Sequence, residues 1–166
     1  MNKTINFKNP LRSRLIAITS LIIVSIALFT SCSSTSDIIT KNTQSSILDG
    51  AKKVIVNSKL SADSLYQQTF NVLSNQGYTI LKSAYKMHQV SAKGSLNPYG
   101  TYLIINILIT KEQNGSKALL TGKWTDGWYK DETAEWKKSD VQRWKYSFAH
   151  IVKVAQQLNG NIMYSR

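Results

Sequence analysis

The acidic residues that follow position 125 are the densest group of side chains able to do acid–base chemistry. They are Asp126, Asp131, Glu132, Glu135 and Asp140. Two carboxylates roughly 5 to 9.5 Å apart across a cleft are the groups that hydrolyse glycosides. The spacing does not match a calcium-binding loop, and lysines alternate with the acids as they do in a solvated loop. A hydrolase is therefore the least favoured of three functional hypotheses.

All four tryptophans of the chain fall within the same segment, between positions 124 and 144. Trp124 lies in a predicted strand and Trp144 on the apolar side of a predicted helix, so packing accounts for both. The other two lie in a predicted loop beside a tyrosine and two lysines, a mixture that can contact sugars or lipid head groups. The candidate ligand or partner contacts are Trp128, Tyr129, Trp136, Lys137 and Lys138. The alternative is that the two rings fold back onto the edge of a sheet.

The sequence offers few other groups for catalysis or metal binding. His88 lies in a predicted turn and His150 on the polar side of a predicted helix, so we expect both to be solvated. Two separated histidines do not make a zinc site, and Cys32 is the only cysteine. The sequence therefore predicts no metal, no cofactor and a protein that is not an enzyme.

The N-terminal residues have the pattern of an export signal. Residues 1–14 carry four basic and no acidic side chains, and residues 15–29 are almost entirely apolar. Fifteen residues of helix rise roughly 22 Å, less than the ~30 Å hydrocarbon core of a bilayer. We therefore expect the segment to be removed and not to remain as a membrane span.

The segment Phe29-Thr30-Ser31-Cys32 resembles the lipobox of bacterial lipoproteins, although Phe29 stands where leucine is usual. The resemblance implies that residues 1–31 are a signal peptide, that the mature chain begins at Cys32, and that lipid is attached to its sulfur. Two or three acyl chains make attachment to a membrane lasting. Aspartate directly after the cysteine would resemble an inner-membrane retention signal. Ser33 stands there instead, which implies an outer-membrane anchor with the domain in the periplasm or at the cell surface.

The charge of the mature chain indicates the kind of partner. Removal of residues 1–31 leaves 17 Lys and Arg against nine Asp and Glu, a net charge of +8. Outside the cytoplasm, a basic protein meets anionic lipid, an envelope protein, or a cell-wall or surface polymer. We therefore expect partners of these kinds, with membrane lipid bound through Cys32, and no nucleic acid.

Residues 32–46 are rich in serine and threonine and predict a flexible tether, and residues 47–166 predict a single domain. Its predicted strands are 53–57, 78–81, 89–96, 101–111 and 117–125, the last two joined by a hairpin at Asn114-Gly115. One predicted helix runs from Ser61 to Gly77, and the second from Ser139, with Gln142 completing a capping box, to Gly160. Residues 161–164 could add a short final strand.

The order β-α-β-β-β-β-α predicts an α+β two-layer sandwich: a mostly antiparallel sheet of about five strands with two helices on one face. At this level the domain resembles small envelope lipoprotein domains of helix-grip or TATA-box-binding-protein-like shape, including those attached to outer-membrane barrel-assembly machinery. The resemblance covers only element order over residues 50–160. The leading hypothesis is a binding or scaffolding module; the alternative is a glycan or anionic-polymer binder that uses the loop of Trp128 and Trp136.

Overall fold

The structure is a computed structural model, and it describes residues 38–96, 101–125, 132–138 and 143–166. Several predictions concern residues outside these ranges. They are the signal peptide, lipidation of Cys32, the contact role of Trp128 and Tyr129, three of the five acids, and the helix cap formed by Ser139 and Gln142.

The described residues form three helices and seven strands. In chain order these are α1 (Lys41–Ser46), β1 (Lys53–Ser58), α2 (Ala62–Asn75), β2 (Thr79–Ala84), a 3-10 turn (Tyr85–Met87), β3 (Gln89–Ser95), β4 (Tyr102–Glu112), β5 (Gly115–Thr125), β6 (Glu132–Thr133), α3 (Arg143–Gln156) and β7 (Asn161–Ser165). The strands make one antiparallel sheet in the order β2-β3-β4-β5-β1-β7, with β6 paired to β5. The predicted α+β class is confirmed, with seven strands where about five are expected.

Alternating burial along the central strands decides which face of the sheet is covered. In β4, Leu103, Ile105 and Ile107 are buried, and the residues between them are half-buried or exposed. Since successive side chains of a strand point to opposite faces, these residues line one side of the sheet. Helices α2 and α3 pack on that side, so the core lies between one layer of helices and one layer of strands.

The two long helices follow the predicted pattern. Helix α2 begins after Ser61, whose hydroxyl accepts a hydrogen bond from the backbone N–H of Ser64 at 3.2 Å, and ends before Gly77 at φ 78°. Helix α3 buries Phe148 and Ile151 among other apolar residues. Both helices have 14 residues, and no helix in the described part of the chain is long and apolar enough to cross a membrane.

The β4–β5 hairpin confirms the predicted tight turn, with the turn one residue earlier than expected. Glu112 pairs with Gly115, so Gln113 and Asn114 form the connection. The positive φ of 139° is at Gly115 and not at Asn114. A Cβ at Gly115 would lie close to the backbone of Ser58, so both its torsion and the close approach favour glycine.

The structure corrects the predicted flexible tether over residues 38–46. Helix α1 occupies most of this stretch, and Ile39 and Ile47 at its two ends are 3% and 1% exposed. The amide of Gln156 in α3 donates to the hydroxyl of Thr43 at 3.2 Å. A segment this polar does not fold alone. Burial of Ile39 and Ile47 is enough to attach it to the core formed by the rest of the domain.

Candidate functional site

The face of the sheet opposite α2 and α3 has no helix over it in the described part of the chain, and we call it the uncovered face. Its side chains form rows across the strands because paired residues in an antiparallel sheet point the same way. One row is apolar: Leu108 pairs with Leu119, Leu119 with Ile55, and Ile55 with Met163. Leu108 and Met163 are 37% and 55% exposed. An apolar row therefore crosses four neighbouring strands in contact with solvent.

A polar row lies beside the apolar one. Lys82 pairs with Ser91, Ser91 with Asn106, and Asn106 with Thr121. Their ammonium, hydroxyl and amide groups supply hydrogen-bond donors and acceptors close to the aliphatic side chains of Leu108 and Leu119. The two rows together present apolar and hydrogen-bonding groups side by side.

Lysines dominate the charge of the uncovered face. Lys93 and Lys123 both pair with Ile104 in the next row, and Lys53 and Lys117 lie on the same face in β1 and β5. With Lys82, the described strands place five lysines on this face.

The strands place a single acidic residue on this face within the described ranges. It is Glu112, whose carboxylate lies 2.9 Å from the Nζ of Lys117. The Nζ of Lys93 lies 3.5 Å from the centre of the Tyr102 ring, which orients that ammonium group. The uncovered face therefore favours an anionic ligand.

A shallow depression lies where the apolar and polar rows meet. Its volume is about 300 Å³, at the lower end of the range for small-molecule sites. Its lining includes Lys82, Gln89, Ser91, Asn106, Leu119 and Thr121. The depression therefore combines hydrogen-bonding side chains with an aliphatic floor.

Trp136, a predicted ligand contact, is instead part of the core. It is 1% exposed, and its ring centre lies 6.3 Å from that of Phe148. The backbone explains why: Trp136 N–H donates to the carbonyl of Ala51 at 2.7 Å, and Gly50 N–H donates to the carbonyl of Trp136 at 2.8 Å. This bridge fixes Trp136 beside Ala51 with its ring buried, so the ring has no free face for a sugar.

Neither of the two predicted contact lysines lines the depression, and both have contacts with residues near Trp136. The Nζ of Lys137 is 4.2 Å from the centre of the Trp144 ring and 3.7 Å from the carboxylate of Glu135. Lys138 is exposed, and its backbone N–H donates to Asp49 at 2.7 Å. The described members of the predicted cluster thus have structural contacts and do not converge on a pocket.

The described carboxylates of the acidic segment also serve local contacts. Glu132 accepts a hydrogen bond from the indole N–H of Trp144 at 2.6 Å, whereas Glu135 lies beside Lys137. Within the described ranges, no three His, Cys, Asp or Glu side chains come together as metal ligands would.

His88 is held in an aromatic cluster and is not freely solvated. Its Nε2 lies 2.8 Å from a carboxylate oxygen of Asp63, and its ring lies edge-on to Tyr66 and Tyr85. Hydrogen bonds from His88, and then from Tyr85, lower the pKa of Asp63. The backbone φ of His88 is 46°, which places the residue in a left-handed turn between β2 and β3.

His150 is half-buried, which corrects the expectation of a solvated residue. The ring of Tyr146, one helical turn earlier, lies edge-on at 5.0 Å and covers it. Its Nε2 has no hydrogen-bond partner among the described residues. Burial, helped by the charge of Lys153, lowers the pKa of His150 from 6.5 to about 4.

Comparisons with known proteins show no family to which the chain belongs. No protein-family model and no curated protein sequence matches it. In structure the chain is similar to a DUF4468 family protein from Bacteroides ovatus, with a TM-score of 0.39 and 14% identity, over 69% of this chain and 90% of that one. No residue role is transferred from that protein.

Substitution of Trp136 tests whether the ring packs or binds. We expect Trp136→Ala to lower the free energy of unfolding by about 3–5 kcal/mol, because the core loses a fully buried tryptophan side chain. Lys138→Ala, nearby and exposed, should change it by less than ~0.5 kcal/mol. Chemical denaturation of the full chain measures both. Equal stability of the Trp136→Ala variant and the wild type would contradict the assignment to the core.

His150 makes stability depend on pH in a known direction. The unfolded chain binds a proton at this residue near pH 6.5, but the folded chain binds it only near pH 4. The neutral form is therefore favoured on folding, and stability is lost as pH falls from about 6.5 towards 4. Urea unfolding across this range should show a flatter dependence for His150→Gln than for the wild type, with the exposed Lys59→Gln as control. An unchanged slope in His150→Gln would contradict the burial of the ring.

Proposed function

We propose that this chain is a non-enzymatic lipoprotein of the bacterial cell envelope whose α+β domain binds another envelope component through the uncovered face. The observation that carries the binding role is the composition of that face. Among the described residues it combines five lysines, a single acidic residue on its strands, an exposed apolar row and a depression lined by hydrogen-bonding groups. These features favour an anionic ligand over an uncharged one.

The anchor supports a role at the membrane surface. We propose that lipid on Cys32 holds the mature chain to the outer membrane, with the domain in the periplasm or at the cell surface. Ile39 and Ile47 attach the start of the domain to its core, and Cys32 is six residues before Ile38. Six residues reach at most roughly 20 Å, so the domain stays beside the lipid head groups.

The two other hypotheses have less support than the uncovered face. The first is a glycan-binding loop that uses Trp128 and Trp136, but the Trp136 ring is buried in the core. A hydrolase needs two carboxylates facing one cleft, and Glu132 and Glu135 contact different neighbours. We therefore place binding of an anionic surface polymer or lipid at the uncovered face and not at the loop.

Photo-crosslinking in intact cells tests whether the uncovered face meets an envelope component. The photoreactive amino acid benzoylphenylalanine replaces Asn106 on the uncovered face or, as the matched control, Lys153 on α3; both positions are exposed. Because the anchor is the same, we expect adducts of envelope material from position 106 and few from position 153.

The charge of the face provides the second comparison. Lys93→Gln with Lys123→Gln should reduce the adducts at position 106, whereas Lys59→Gln with Lys153→Gln, off the face, should not. Equal adduct yields from positions 106 and 153, or no effect of the face lysines, would refute binding through this face.

A further inference from the structure

We infer that the component bound by the uncovered face is the head-group surface of a bilayer containing anionic phospholipid, so that the domain lies with its sheet against the membrane. This inference rests on the proposed function and names the partner of the same face. It distinguishes a lipid surface from a soluble anionic polymer, which would satisfy the lysines equally well.

The positions of the lysines suit an extended anionic surface. Lys93 and Lys123 are separated by one strand, and neighbouring strands lie about 4.8 Å apart, so their Cα atoms are roughly 10 Å apart. Lys82 lies on β2 and Lys53 on β1, towards opposite edges of the sheet. Cations spread across one face contact several head groups at once and are attracted to an anionic leaflet together.

The apolar row favours a lipid surface over a soluble polymer. Leu108 and Met163 expose 37% and 55% of their surface, and Ile55 and Leu119 lie between them in the same row. Such side chains gain by entering the boundary between head groups and acyl chains. A soluble polyanion has no apolar phase, so in that complex these side chains would stay exposed to water.

The depression is placed to hold one head group. Lys82 supplies an ammonium group, Ser91 and Thr121 supply hydroxyls and Asn106 an amide, all of which can donate to phosphate oxygens. The aliphatic side chain of Leu119 forms part of the same lining. The polar side chains would thus contact the charged head group, and Leu119 would contact the start of its acyl chains.

Oxidation of two methionines tests the inference on the full chain reconstituted in vesicles. Met163 lies on the uncovered face and Met87 on the 3-10 turn outside it, and both are 55% exposed. Vesicles of phosphatidylcholine alone are compared with vesicles containing one part phosphatidylglycerol to three of phosphatidylcholine. After hydrogen peroxide, mass spectrometry gives the oxidation rate of Met163 relative to Met87.

With phosphatidylglycerol, we expect the relative oxidation rate of Met163 to fall at least about threefold, because docking excludes the oxidant from its sulfur. High salt, or Lys93→Gln with Lys123→Gln, should restore the rate. The amide of Asn57 contacts the Met163 sulfur at 3.4 Å, so changes between vesicles, and not absolute rates, are compared.

The same relative rate in both vesicles would overturn the inference. A further arm adds soluble polyphosphate to the protein in phosphatidylcholine vesicles. Protection of Met163 by polyphosphate but not by phosphatidylglycerol would also overturn the inference, while leaving binding through the uncovered face intact. Protection by neither, with no crosslinks from position 106, would reject the proposed function as well.

Discussion

Burial on one side of the sheet is the constraint on which the rest of the structure depends. Strands β1, β4 and β5 bury side chains at every second position, and α2 and α3 cover only the face where those buried side chains lie. Glycine at position 122 is part of this arrangement. A Cβ there would lie 2.6 Å from the Ile151 side chain, so its absence lets α3 approach β5.

The consequence of one-sided burial is that the same strands present their other side chains to solvent. On a purely structural sheet, that face would carry scattered polar residues. Here it carries lysines and an exposed apolar row, which gain nothing from the core beneath them. The binding function that we propose would account for this composition, and the anchor proposed at Cys32 would bring the face to a membrane.

Local patterns were enough to predict much of the fold. The Ser61 cap, Gly77 and the apolar spacing of α2 and α3 depend on near neighbours, and so does the hairpin around Gly115. Helix α1 and strand β6 depend on distant contacts. The stretch around Trp136 has the composition of a loop, and only its pairing with Ala51, far away in the chain, turns the ring into the core.

Prediction of the candidate site also depends on contacts between residues that are distant in the sequence. Alternation along β4 and β5 shows which residues face away from the core, but rows such as Leu108, Leu119, Ile55 and Met163 arise only when four strands take their register. Clustering of aromatic residues along the chain indicates a different place, and in Trp124, Trp136 and Trp144 those residues serve packing.

The proposed function depends above all on Cys32, through which the domain would be held at a membrane outside the cytoplasm. The intact mass of the protein extracted from bacterial membranes measures this most directly. We predict a chain that begins at Cys32 and carries the added mass of its acyl chains. A Cys32→Ser variant should keep residues 1–31 and gain no lipid. A full-length chain, or a chain that begins elsewhere and has a free thiol, would contradict it.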